Sequence, residues 1–141
     1  MGTLFESILS GQIPSHCVAQ GESWYAFLDI FPRREGHTLV IPRKPAQRLS
    51  ELSPAELSGL MEGITVVQQR LGAHFSTTDF TICLHDGPLA GQEVPHVHFH
   101  VIPRSEGDGG GTLMSMWPKT INAEPNHESL ASLATSLQGV I

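Results

Sequence analysis

Apolar positions along this chain fall into short blocks with two different periods. Leu4, Phe5, Ile8 and Leu9 are helically spaced, and Gly11 and Pro14 close the block, so a short helix is expected over 3–9. Blocks 16–20 and 23–30 read as strands joined by a tight turn at Gln20-Gly21-Glu22, and the β-branched run 37–42 reads as a third. A long helix is announced by Ser53 as N-cap, Pro54 in the first turn and Glu56 as the reciprocal partner of the cap. Leu57, Leu60, Met61, Ile64, Val67 and Leu71 then recur at helical spacing, and Gly72 reads as the stop. Strands are expected over 80–84 and 97–103, separated by a loop over 85–95, with a last helix over 129–137 starting near Asn126 or Glu128. Strands joined by short turns must be antiparallel. One long amphipathic helix would cover one face, giving an α+β fold.

Composition narrows the function classes. The 141 residues suit one domain over 1–141, with a flexible Gly-rich stretch at 107–111 and a tail at 112–141. Eight Lys and Arg stand against 14 Asp and Glu, a net charge of -6, too few cations for a nucleic-acid partner. No apolar run approaches the roughly 20 residues of a membrane span. The first residues carry neither a basic nor an apolar leader segment, so the expectation is a soluble, cytoplasmic protein. Cys17 and Cys83 are far apart, which argues against a disulfide scaffold or a Cys-rich zinc site.

Eight histidines are many for this length, and three of them alternate in Pro95-His96-Val97-His98-Phe99-His100-Val101. Along a strand, period two puts His96, His98 and His100 on one face and Val97, Phe99 and Val101 on the other. Three readings compete. The row is an ordinary half-exposed strand, or a metal site helped by His37, His85 and Asp86, or a nucleophilic centre for phosphorus chemistry. The third suits the residues best. A neutral imidazole is nucleophilic near pH 7, and Gly87 and Gly91 ahead of the row let backbone amides approach an anion.

At these residues the chain resembles the histidine triad (HIT) family of nucleotide hydrolases and transferases. Its pattern, His-x-His-x-His with apolar x, is met by His96 to His100, and Ala90-Gly91-Gln92 is similar to the loop before it. Upstream, Ala26-Phe27-Leu28-Asp29-Ile30-Phe31-Pro32 and Gly36-His37-Thr38-Leu39-Val40-Ile41-Pro42-Arg43 resemble the nucleoside-pocket strands, so the likeness covers about residues 4–104.

The resemblance implies an antiparallel HIT-like sheet with one long and one short N-terminal helix, assembled as a homodimer. It implies hydrolysis at the α-phosphate of a purine nucleotide conjugate, either a phosphoramidate or a dinucleoside polyphosphate. His98 matches the nucleophile, His96 and His100 its flanking assistants at the phosphate and leaving group, and His37 a further orienting imidazole. Asp29 falls where the ribose is held, and Gln92 and Glu93 lie along the phosphate path. Leu4, Phe5, Ile8, Phe27 and Ile30 match the base pocket, and His85, Gly91 and Val94 complete the substrate-binding set. Read as residues alone, Leu4, Phe5, Phe27 and Ile30 serve equally well as core, His37 as a packed strand residue and Asp29 as a strand-end carboxylate.

Three features depart from the pattern. Thr3-Leu4-Phe5-Glu6 stands where many relatives carry a zinc-binding Cys-x-x-Cys, so no metal and no cofactor is expected. His85 occupies a loop position usually held by Asn or Gln. The loop 85–92 is similar to the dinucleoside polyphosphate branch, whereas the N-terminal half is similar to the general bacterial group. Two alternatives stay open at this point: a nucleotide-binding module with little turnover, and a metal-dependent hydrolase.

Overall fold

The computed structural model describes residues 2–140, in two compact units that divide after Asp108. In the first unit, α1 (Leu4–Leu9) is capped by the Thr3 hydroxyl, which accepts from the Glu6 amide. Strands β1 (Cys17–Gln20), β2 (Trp24–Leu28) and β3 (Thr38–Pro42) follow, then α2 (Pro54–Phe75), β4 (Phe80–Leu84) and β5 (Phe99–Pro103). The sheet order is β1-β2-β3-β5-β4, and every neighbouring pair is antiparallel. No helix is long and apolar enough to cross a membrane among the described residues.

Both faces of the sheet are covered. On one, Leu60, Ile64, Val67 and Leu71 of α2 pack with Trp24, Ala26, Val40, Val97 and Val101. On the other, Phe5 of α1 packs with Phe27, Leu39 and Ile41. Strand β3 is therefore buried at all five positions, as its unbroken apolar run suits. Gly63 lets α2 lie directly on the sheet, since a Cβ there would stand 2.7 Å from the Trp24 indole. Met61, although helically spaced with the core residues, is exposed.

The expected elements are all present, with shifted ends. Helix α2 runs through Gly72 for another turn and stops at Ser76, which sits in the left-handed region at φ 55°. Gly72 is a close-approach residue rather than a stop, because a Cβ there would lie 2.8 Å from the Thr77 carbonyl. Strand β2 ends at Leu28, not residue 30, because the Asp29 carboxylate accepts the Phe31 amide at 2.8 Å and turns the chain. Strand β5 begins at Phe99 rather than residue 97. The Val97 amide donates to Ala46 and the Pro42 carbonyl is taken by the His96 ring, so this stretch is held by side chain and loop rather than by the ladder.

The second unit contains a short 3-10 turn (Leu113–Ser115) and α3 (His127–Gln138). Asn126 caps α3 by accepting from the Ser129 amide, placing the start two residues before the expected 129.

Candidate active site

Four histidines from two segments of the first unit converge at the α1 side of the sheet. Val97 and Val101 face the core under α2, so alternation turns His96, His98 and His100 the other way. His37 enters from just before β3, next to His100 on the neighbouring β5. Phe5 stands edge-on to the rings of His96 and His98, at centroid distances of 5.8 and 5.0 Å.

The hydrogen-bond partners settle where each imidazole carries its proton. His98 Nδ1 lies 2.7 Å from the His96 carbonyl. A carbonyl only accepts, so Nδ1 is the protonated nitrogen and Nε2 keeps a free lone pair. His96 Nε2 donates to the Pro42 carbonyl at 3.0 Å, and its Nδ1 takes the Thr3 hydroxyl at 3.4 Å. The Arg33 amide donates to His37 Nδ1 at 3.1 Å, so His37 donates from Nε2 to His100 Nδ1 at 2.9 Å. His100 is thereby left with its proton on Nε2. Burial is the main force holding all four below the usual imidazole range. His100 is pushed down to about 4, with the charges of His98, His37 and His85 adding to its burial. All four are neutral at pH 7, as a lone-pair nucleophile requires.

Two clefts meet at this row. The smaller, about 310 Å³, is lined by Leu4, Phe5, Ile8, Phe27, Ile30 and Val94 together with Ile13, Pro14 and Ser15. The larger, about 610 Å³, is lined by Arg33, His37, Cys83, His85, Gly91 and Ile102. Asp29, Phe31, Glu93, His98 and His100 border both. Asp29 has one carboxylate oxygen on the Phe31 amide and the other 3.7 Å from His37 Nε2.

Most expected site residues therefore border one cleft or both, and two do not. His96 is fully buried, with both ring nitrogens spent on protein partners, so it positions its neighbours rather than touching a ligand. Gln92 is also buried and donates to the Gln47 carbonyl at 2.8 Å, tying the loop to the segment after β3 instead of facing a phosphate path. Ile13, Pro14, Ser15, Arg33, Cys83 and Ile102 were not anticipated. Of these only Ile102 carried a signal, since it shares the face of His100 two residues on.

Asp29, His37 and His100 place one potential ligand atom each within 4.8 Å of one another, close enough to hold an ion. The protons argue otherwise. Arg33 fixes the His37 proton on Nε2, the nitrogen that would have to face the metal. The pair is built as a donor and an acceptor.

The model of the HIT domain matches residues 10–107. The chain is 45% identical over 83 residues to the asymmetrical bis(5′-nucleosyl)-tetraphosphatase of Schizosaccharomyces pombe, a match covering 59% of this chain and 46% of that protein. It is 34% identical over 118 residues to the adenosine 5′-monophosphoramidase hnt1 of the same yeast, covering 84% of each. A crystal structure of a HIT-family member from Bacillus subtilis superposes with a TM-score of 0.87 at 30% identity, covering 100% of this chain and 98% of that one. Family model, fold and the alternating imidazoles of His96, His98 and His100 agree: the chain belongs to the HIT family.

Proposed function

We propose that this protein hydrolyses nucleotide conjugates at the α-phosphate through a covalent nucleotidyl intermediate on His98. The observation that carries the reading is the His98 Nδ1–H bond to the His96 carbonyl, which aims an unprotonated Nε2 at the junction of two clefts. The apolar slot of Leu4, Phe5, Ile8, Phe27 and Ile30 suits a purine, and the Asp29 carboxylate, which borders both clefts, suits ribose hydroxyls. The leaving group then projects into the larger cleft. His98 Nε2 attacks phosphorus, and the P–Nε2 bond forms as the bond to the leaving group breaks. The His100 Nε2–H donates a hydrogen bond to the departing atom, which leaves as an anion or, if it is an amine, takes its proton from water. Water then attacks the intermediate and gives its proton to solvent, the P–Nε2 bond breaks, and the nucleoside monophosphate and neutral His98 are freed. The names of the two yeast relatives support a nucleotide-conjugate substrate.

The test is a single-turnover reaction with a radiolabelled adenosine conjugate, quenched in base and examined for label on the protein. Wild type should carry label that chases into adenosine monophosphate. His98→Gly should carry none and lose several orders of magnitude in turnover, as removal of a covalent catalyst does. Undiminished turnover by His98→Gly would overturn the reading. A nucleotide-binding module without chemistry would bind the nucleotide equally well in both proteins and release no product from either.

A further inference from the structure

We propose that Arg34 is a positioning residue of this site: by tying the loop between β2 and β3 to the end of β5, it holds the His37 imidazole on His100 and so aims the His100 proton. The inference rests on the reading of His100 just given, in which its Nε2–H meets the departing atom. Arg34 borders neither cleft, so it acts only through its neighbours.

Asp29, Phe31, Arg33 and His37 all border the larger cleft, and all four lie between the end of β2 and the start of β3. The loop closes on itself, with the Asp29 amide on the His37 carbonyl at 2.9 Å and the His37 amide on the Arg34 carbonyl at 3.1 Å. Neither bond fixes how far the loop stands from β5. The pairing of β3 with β5 stops at Thr38 and Val101, one residue short of His37. Arg34 crosses that gap. Its Nε donates to the Pro103 carbonyl at 2.8 Å, and its Nη2 donates to the Ser105 hydroxyl at 3.1 Å. Asp108, whose side chain is 3% exposed, lies 3.8 Å from the same Nε. That carboxylate is itself fixed by two nitrogens of Arg104, at 2.8 and 2.9 Å, and by the Ser105 amide at 2.9 Å. Gly36 marks the same seam, since a Cβ there would stand 2.6 Å from the Phe75 ring and 3.1 Å from Pro103.

The tie reaches His100 through two bonds. The Arg33 amide, next to Arg34 in the chain, donates to His37 Nδ1 at 3.1 Å, and His37 Nε2 donates to His100 Nδ1 at 2.9 Å. Both bonds need the loop at one distance from β5, because a hydrogen bond weakens steeply as its angle opens. A displacement of about 1 Å far from the chemistry is enough to slow an enzyme. A guanidinium suits the task, since its planar fork meets two acceptors at once and stays charged at any working pH.

Two measurements decide the matter. Magnetic resonance on protein with labelled imidazole nitrogens reads the coupling between His37 Nε2 and His100 Nδ1 across their hydrogen bond, with both rings neutral at about pH 7.5. Wild type should show the coupling and Arg34→Ala should lose it. Arg34→Lys keeps a donor within reach of the Pro103 carbonyl and should restore part of it. Steady-state kcat for adenosine 5′-phosphoramidate should fall about 3- to 10-fold in Arg34→Ala while KM stays within about twofold, as expected for one hydrogen bond that matters after substrate is bound. Coupling absent from wild type, coupling unchanged in Arg34→Ala, a rise in KM with kcat unchanged, or a lysine variant as impaired as alanine would overturn the proposal. If wild type releases no monophosphate, the hydrolase reading falls, and the coupling between the two rings still decides the role of Arg34.

Discussion

Lowering the pH from about 7.5 to about 5 should destabilise this protein through its buried histidines. In the unfolded chain each has the ordinary value of 6.5, and in the fold His37, His96, His98 and His100 all lie below it. Below 6.5 the unfolded state therefore binds protons that the native state refuses, and stability falls with falling pH. His100, at about 4, gives the magnitude. At pH 5 its unfolded form is about 97% protonated and its folded form about 10%, a loss of about 2 kcal/mol relative to pH 7.5. The other three act in the same direction. With an m-value of about 2 kcal/mol/M, His100 alone should move the urea midpoint down by about 1 M. Urea titrations followed by tryptophan fluorescence at several pH values would measure it. His100→Gln should show a shallower pH dependence than wild type. A wild-type midpoint that holds or rises toward pH 5, or an unchanged slope in His100→Gln, would refute the reasoning.

Three further outcomes follow from the same geometry. Phe5→Ala removes a buried ring that touches Phe27, His96 and His98, and should cost about 3 kcal/mol in urea titration while also slowing turnover. Asp29→Ala should narrow the preference for ribo- over 2′-deoxyribonucleotides, read by calorimetry with both monophosphates; unchanged affinity for both would make Asp29 only the turn-former that its bond to Phe31 shows it to be. Because the His37 proton faces His100, turnover should persist after dialysis against a chelator, and a stoichiometric metal lost together with activity would contradict that.

The parts of the fold legible in the sequence were those set by local chemistry. The cap at Ser53 and Glu56 started α2 at Pro54, because both bonds lie within one turn. Alternation alone separated the imidazole face from the valine face. The start of β5 was hidden because it depends on His96 reaching the Pro42 carbonyl, 54 residues away in sequence. Gly72 misled for a similar reason: its lack of a side chain serves the returning chain at Thr77, and a residue that accommodates a distant contact looks locally like a terminator. The slot residues were recoverable from the resemblance. Thr3, which ties α1 to His96, was not, since a cap residue signals only its own helix. Gln92 shows the opposite error, a polar residue in a glycine-rich loop whose amide turns inward to the backbone.

The segment from His96 to Val101 serves two masters with alternate residues: imidazoles toward the clefts, and Val97 and Val101 in the core beneath α2. Inserting or deleting one residue here would exchange the faces, sending imidazoles under the helix and valines into the cleft. Folding and chemistry would then fail at a single stroke. A substitution at one of the six positions therefore disturbs one face alone, whereas a change in their number disturbs both, and loops on either side are where this architecture can gain or lose length.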